Sequence, residues 1–334
     1  MIENYLFCCD WGTSSFRLRL INTADHQVMG EVLSEDGIAN TYNSWKANGE
    51  TDSVDKLEFF KAKLREAVGA LFRKLNLKLD EVPIVISGMA SSSIGMDDVP
   101  YAELPFPVDG SECRFRFYPA EDGFAHSITL VSGVKAEKDV MRGEETQLVG
   151  LMSLLDKSTA AKDGILIFPG THSKHLYVSQ NKLVNIQTFM TGELFSLMAH
   201  SSVLKNSVKP TSLSAFSNVD ADAFKSGVQE SVSTNILSSL FSVRTNELFG
   251  KLTKEQNFFY LSGLLIGAEL KGLHDQESWQ LMLCSGSNLF ELYKAAMEEL
   301  KLLGRTTIIP AALIDRAAVA GQIKIFESIK PLQL

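Results

Sequence analysis

Cysteine is scarce in this chain of 334 residues: Cys8, Cys9, Cys113 and Cys284 are the whole set, and no two form a CxxC pair. Adjacent Cys8 and Cys9 would point to opposite faces of a strand, so a disulfide framework is not expected, and reduced thiols in a cytoplasm are the simplest reading. Of six histidines only His172 and His175 lie close together. With no cysteine or third histidine nearby, a zinc set is not expected either. The longest apolar run, Phe258 to Leu270, spans about 13 residues, short of the roughly 20 that a bilayer demands, and reads as a buried helix. No basic, apolar and small-residue sequence of a signal peptide opens the chain. Blocks of like charge are missing too, and 32 Lys and Arg stand against 40 Asp and Glu, a net charge of −8. Nucleic acid is therefore not an expected partner, since duplex binding draws on clustered cations. GxxxxGK[ST] does not occur, so there is no Walker A loop.

What is present is a soluble composition, 45% hydrophobic and 22% charged, with no low-complexity tract. The length favours two domains. "NYLFCCDW", "FRLRLINT" and "QVMGEVLSE" read as three antiparallel strands. From Asp55 onward, Leu57, Phe60, Leu64, Val68, Leu71 and Leu75 recur at helical spacing before "VPIVISGM" resumes as a buried strand. That order describes a mixed α/β lobe.

The order returns in "GILIFPGTHSKHLYVSQNKLVNIQTF" (Gly164–Phe189), followed by the helical "TGELFSLMAH". Sliding the first copy by 158 positions, the offset of Gly170 from Gly12, pairs Thr13 with Thr171, Ser15 with Ser173 and Leu18 with Leu176. An internal repeat of two lobes is expected. Asp10 pairs with Phe168, so only the first turn carries an acid.

A strand-turn-strand with Gly, Thr and Ser at the bend offers backbone N–H groups and hydroxyls to an anion. Ordinary hairpin turns are the alternative for each turn alone, though independent hairpins have no reason to share spacing on both sides. Asp10 can hold Mg²⁺, directly or through water, or can simply cap its turn.

"DWGTSSFRLRL", "VMRGEETQLVG", "PGTHSKH", "MTGELFSLM" and "SGLLIGAEL" together resemble the 2-dehydro-3-deoxygalactonokinase family, a branch of the superfamily of sugar kinases, actin and heat-shock ATPases. The similarity runs from about Tyr5 to about Leu289 in the same order. It implies an α/β chain of two ribonuclease-H-like lobes in the actin-like ATPase fold, with ATP and Mg²⁺ in a central nucleotide cleft. It also implies γ-phosphoryl transfer to the terminal hydroxyl of a keto-deoxy sugar acid in galactonate catabolism. The expected division is residues 1–140 as the first lobe, rejoined by a C-terminal helix over 311–330, and 141–310 as the second. In that helix Ala317, Ala318 and Ala320 would allow close packing.

By the same resemblance Asp10, Gly12, Thr13, Ser14 and Ser15 form the first phosphate turn. Gly170, Thr171, His172, Ser173 and Lys174 form the second, where Lys174 would offset phosphate charge or sit solvated. Gly286 and Ser287, in "LCSGSNLFELYKAAM", resemble the adenosine element, or a plain strand-to-helix loop. The base is Glu145 or Glu144, Glu145 being preferred; two acids at a helix start would also complement its dipole. For the acceptor carboxylate, Arg142 is the first candidate and Arg244 the second, because a guanidinium matches planar oxyanions. Ser91, Ser92 and Ser93 would meet substrate hydroxyls or cap the next helix. A same-fold kinase for another sugar, or a nucleotide-switched binding protein of the actin kind, are the alternative functions. Acceptor-dependent ADP release separates an enzyme from a switch.

Overall fold

The computed structural model describes residues 4–48, 53–160, 162–211 and 218–329. Its chain divides into two compact units: Met1–Ala161 with Asn181–Asn185 and Asp315–Leu334, and Lys162–Gln180 with Ile186–Ile314. The helix expected to open the second lobe after residue 140 thus lies with the first unit. No helix among the described residues is long and apolar enough to cross a membrane.

In the first unit, β1 (Tyr5–Trp11), β2 (Phe16–Asn22) and β3 (Gln27–Ser34) form an antiparallel meander. Helices α1 (Ile38–Ala47) and α2 (Ser53–Leu75) follow, then β4 (Ile84–Gly88), parallel to β1. Short strands β5 (Ala102–Glu103), β6 (Phe106–Pro107), β7 (Phe115–Tyr118), β8 (Ile128–Val131), β9 (Val134–Lys135) and β10 (Val140–Met141) lead to α3 (Glu144–Leu154) and α4 (Lys157–Ala160). The main sheet has the order β3-β2-β1-β4-β8-β7. A meander leading into parallel strands is the ribonuclease-H-like arrangement. Apolar positions of α2 at helical spacing, Phe60, Leu64, Val68 and Leu71, pack on Phe7, Cys9 and Trp11 of β1. Because β1 is central and covered, its strand reads as a nearly continuous apolar run rather than an alternating one.

The second unit repeats the layout. Strands β11 (Gly164–Phe168), β12 (Ser173–Ser179) and β13 (Lys182–Phe189, of which the second unit takes the part from Ile186) precede helices α5 (Thr191–Ser201), α6 (Asn218–Ser233), α7 (Ile236–Leu248) and α8 (Lys254–Leu270). Then come β14 (Gln280–Leu283), α9 (Ser287–Glu299) and β15 (Thr306–Ile308). The order β15-β14-β11-β12-β13 places β11 beside an antiparallel β12 and a parallel β14, as β1 lies beside β2 and β4. The repeat expected from the sequence is therefore a repeat of topology. Helix α8, the apolar run of the sequence, is capped by Thr253 and Gln256 and buried along most of its length.

The last helix, α10 (Ala311–Ile329), packs in the first unit. Ala317 is buried as expected, but the closest crossing is made by glycines. A Cβ at Gly150 of α3 would lie 1.8 Å from the Ala317 carbonyl oxygen, and one at Gly321 the same distance from that of Thr146. Backbone meets backbone there. The buried Gln322 amide then donates to the Cys9 carbonyl at 2.6 Å and to Ser87 Oγ at 2.9 Å, tying α10 to the ends of β1 and β4.

Candidate active site

In the first unit the chain leaves β1 one residue after Asp10 and turns through Gly12 to Ser15. The Gly12 N–H donates to the Ser15 carbonyl at 2.9 Å, and the carbonyls of Gly12 and Thr13 accept the N–H groups of Ile38 and Ala39 at the start of α1. The turn is braced from behind while Thr13 and Ser14 remain exposed. Asp10 is held in register between Arg17 of β2 and Ser87 of β4. Its carboxylate is 26% exposed and 3.8 Å from the Arg17 guanidinium. Burial pushes its pKa above the ordinary value, Arg17 and Arg19 pull it back, and the charge of Glu144 pushes it up again.

Two glycines bring Glu144 to this place. Gly88, at φ 92°, ends β4 where a Cβ would sit 2.8 Å from the Trp11 carbonyl and 3.5 Å from Asp10 Oδ1. Gly143, at φ 103°, precedes α3, and its Cβ would lie 3.4 Å from Gly88 Cα. The start of α3 is thereby drawn toward the end of β1.

Of the two acids there, Glu145 turns inward. It is 1% exposed, accepts the Gly143 N–H at 2.7 Å and the Thr146 hydroxyl at 2.9 Å, and so caps its own helix. Burial first, and the charge of Glu144 second, push its pKa up to about 7. Glu144 is half-buried, and its charge acts on both Asp10 and Glu145. The pair brought together electrostatically at the end of β1 is thus Asp10 and Glu144.

Arg142 is turned inward as well. Its side chain is 5% exposed. The guanidinium donates to the carbonyl of Ser91, to Ser91 Oγ at 2.7 Å and to the Val99 carbonyl at 3.2 Å, and stacks 4.0 Å from the Tyr101 ring centroid. Both terminal nitrogens of its fork are committed to the loop after β4, Nη2 lying also 3.6 Å from the Asp98 carboxylate, while the buried Nε has no hydrogen-bond partner among the described residues. Ser91 and Ser92 are buried and bond the carbonyls of Gly88 and Met89, while Ser93 alone of the three is exposed. Arg244, in the second unit, pairs on α7 with Glu247 at 3.1 Å and Ser207 at 3.0 Å.

The second turn follows β11. Gly170 N–H, equivalent to that of Gly12, donates at 3.2 Å to the side chain of Ser173 rather than to its carbonyl. Thr171 and His172 are exposed, and the His172 ring meets the Glu193 carboxylate of α5. Ser173 has no exposed surface, and Lys174 is buried with its ammonium on the His172 carbonyl at 3.1 Å. Neither side chain is presented to solvent, in contrast to the phosphate contacts expected of them. A Cβ on Gly170 or Gly286 would meet nothing within 4 Å, so both flank open space. Gly286 caps α9, which starts at Ser287. An apolar cavity in the same unit is lined by Gly170, Gly192, Phe195, Phe258, Leu289 and Tyr293, among others.

The family model described as 2-keto-3-deoxy-galactonokinase matches residues 10–325. The chain belongs to that family. The 2-dehydro-3-deoxygalactonokinase of Escherichia coli (strain K12) is 32% identical over 226 residues, covering 66% of this chain and 71% of that protein. A candidate 2-dehydro-3-deoxygalactonokinase of Rhizobium meliloti (strain 1021) is 31% identical over 336 residues, 98% of both chains. Among solved structures, a candidate 2-dehydro-3-deoxygalactonokinase from Sinorhizobium meliloti matches with a TM-score of 0.77 at 28% identity, covering 98% of this chain and 97% of that one. The chain is accordingly a sugar-acid kinase, a phosphotransferase.

Several residues of this 2-keto-3-deoxy-galactonokinase family member carry little signal in the sequence. Gly88 and Gly143 flank motifs whose serines and acids stand out more. Glu269, in the last turn of α8, reads as the polar end of an apolar run, yet it is 3% exposed and accepts from Thr191 and from Tyr293 at 2.7 Å. A carboxylate inside an otherwise apolar helix is the one signal available, since such a group is buried only with partners.

Proposed function

We propose that the chain transfers the γ-phosphoryl group of ATP to the terminal hydroxyl of 2-dehydro-3-deoxy-D-galactonate, giving the 6-phosphate. The family match over residues 10–325 carries the acceptor class. The chemistry is supported by the charge of Glu144 reaching Asp10 at the glycine-lined end of β1. Two carboxylates in that relation suit a cation. Asp10 is the residue that would hold Mg²⁺, directly or through water, since magnesium in such sites uses one or two carboxylates with substrate phosphates. The metal would neutralise charge on the phosphates.

Glu144 is our base, in place of Glu145. Glu144 is half-buried with its charge reaching Asp10, whereas the Glu145 carboxylate is buried and accepts from the Gly143 N–H and the Thr146 hydroxyl. Glu144 would accept the proton of the acceptor hydroxyl as the bond to phosphorus forms. In the second unit, the exposed Thr171 and the open space at Gly170 suit phosphate approach. The apolar cavity beside α9 suits the adenine, whose ring needs flat apolar walls such as Phe195 and Phe258. With Arg142 spent on Ser91 and Val99, it supports the acceptor by shaping the loop after β4 and not as a free fork.

The test is ADP release with a panel of keto-deoxy acids derived from galactonate and gluconate. The galactonate-derived acid should turn over fastest and need Mg²⁺. ATP hydrolysis at the same rate with no sugar acid would overturn the reading.

A further inference from the structure

Behind the second turn lies a buried relay of side chains that none of the roles above uses. Gly170 N–H donates to Ser173 Oγ at 3.2 Å; Ser173 Oγ lies 2.8 Å from the Tyr293 hydroxyl; and Tyr293 donates to Glu269 Oε2 at 2.7 Å. The Thr191 hydroxyl donates to the same oxygen, and His175 Nε2 lies 3.2 Å from the other. The side chains of Ser173, Tyr293, Glu269 and His175 are almost wholly buried, so water does not compete for these bonds.

The direction of the relay follows from counting hydrogens. A carboxylate only accepts, and a phenol has one hydrogen. Tyr293 gives its hydrogen to Glu269, so between Ser173 and Tyr293 the serine must donate. The serine hydroxyl has then spent its hydrogen, and it turns a lone pair to Gly170 N–H. Burial, and the charge of Glu269 after it, push the Tyr293 pKa well up, which keeps that hydrogen in place.

We infer that Glu269 is a positioning residue for the nucleotide half of the site: as a fixed acceptor it sets the polarity of the relay and thereby the shape of the Gly170–Ser173 turn. The same carboxylate fastens the start of α5 through Thr191 and the middle of α9 through Tyr293. Gly170, Thr191 and Tyr293 all line the apolar cavity. Turn and cavity are therefore set by one group, which explains why a charged residue closes an apolar helix. The inference takes the identity of the ligand from the kinase reading.

The test is calorimetric binding of ATP without sugar acid, with the KM of each substrate and the melting temperature measured alongside. Tyr293→Phe keeps the ring and removes the relay; it should weaken ATP binding about tenfold, the equivalent of one lost hydrogen bond. Glu269→Met should do at least as much. Glu269→Gln keeps an oxygen for Tyr293 and Thr191, with the amide toward His175, whose tautomer can adapt, and should stay within about threefold of wild type. The KM for the sugar acid should not move in Tyr293→Phe. Wild-type ATP affinity in Tyr293→Phe, or equal losses in Glu269→Gln and Glu269→Met, would overturn the inference. A wild-type chain that binds ATP but phosphorylates no keto-deoxy acid removes the proposed acceptor alone, and Tyr293→Phe still decides the relay. One that binds no ATP removes both.

Discussion

Glu144 and Glu145 are neighbours with opposite surroundings, and the difference is measurable. Glu144→Gln should lower kcat by about a hundredfold or more with ATP binding kept, as expected for loss of a general base. Glu145→Gln should cost far less turnover; a larger loss there than in Glu144→Gln would return the base to Glu145. Stability separates them further. The folded-state pKa of Glu145 is about 7 against an ordinary 4.5, so between those values the folded chain holds a proton that the unfolded chain has released. Stability should therefore fall as pH rises from about 4.5 to about 7, by on the order of 3 kcal/mol. Glu145→Gln removes that slope, so the difference between the two urea-unfolding curves at pH 5 and pH 8 isolates it from all other titrating groups. Equal slopes would mean that the carboxyl is solvated. Nothing in "RGEET" distinguishes the two acids. Successive helical residues point about 100° apart, and which direction is inward depends on Gly143, Gly88 and α10, all fixed by tertiary contacts. The same holds for Arg142 and Lys174, whose charge suggests phosphate or substrate carboxylate but whose partners include Ser91, the Val99 carbonyl and Asp98 for the first and the His172 carbonyl for the second.

At the scale of elements, the strands are the most legible part. Alternation and apolar runs mark β1 to β3 and β11 to β13, and the shared Gly-Thr turns make the repeat visible in the order of residues alone. Helices α2 and α10 declare themselves by apolar spacing, and α8 by its unbroken apolar run. Residues 128–131 form a strand too short to announce itself by period. Contacts between helices are less legible than helices themselves. Small residues in α10 suggest close packing at alanines, but the crossing uses Gly321 and Gly150, since only a missing Cβ lets carbonyls of the facing helix come so near. Gly321→Ala should thus destabilise by about 2 kcal/mol despite the better helix propensity of alanine. It should also lower kcat more than it raises either KM, because α3 carries Glu144. Gly69→Ala on α2 makes the control, for its Cβ would meet only the far end of Arg73, at 3.4 Å. That change should stabilise by about 0.5–1 kcal/mol. Thermal unfolding of both variants checks the opposite signs; a stabilised Gly321→Ala would mean that the helices stand further apart.

For the whole molecule the question is how a chain of net charge −8 takes two anionic substrates. Several of its cations are committed: Arg142, Lys174 and Arg244 bond within their own units. Under the proposed function, compensation for the phosphates would come from backbone N–H groups, from Arg17 beside Asp10 and above all from a metal held at Asp10. ATP should accordingly bind far better with Mg²⁺ than without it. Binding to the folded chain alone raises its stability by RT ln(1 + [L]/Kd), about 2.7 kcal/mol at a hundredfold excess over Kd. The wild type should therefore melt several degrees higher with MgATP, and only slightly higher with ATP and a chelator. In Asp10→Asn the two shifts should converge, and kcat should fall by about a hundredfold or more. Asp10→Asn also removes the burial cost of its carboxylate, so the unliganded variant should be at least as stable as wild type, which rules out unfolding as the reason for lost activity. A full MgATP shift retained in Asp10→Asn would move the metal off Asp10 and leave that carboxylate as a partner of Arg17 alone.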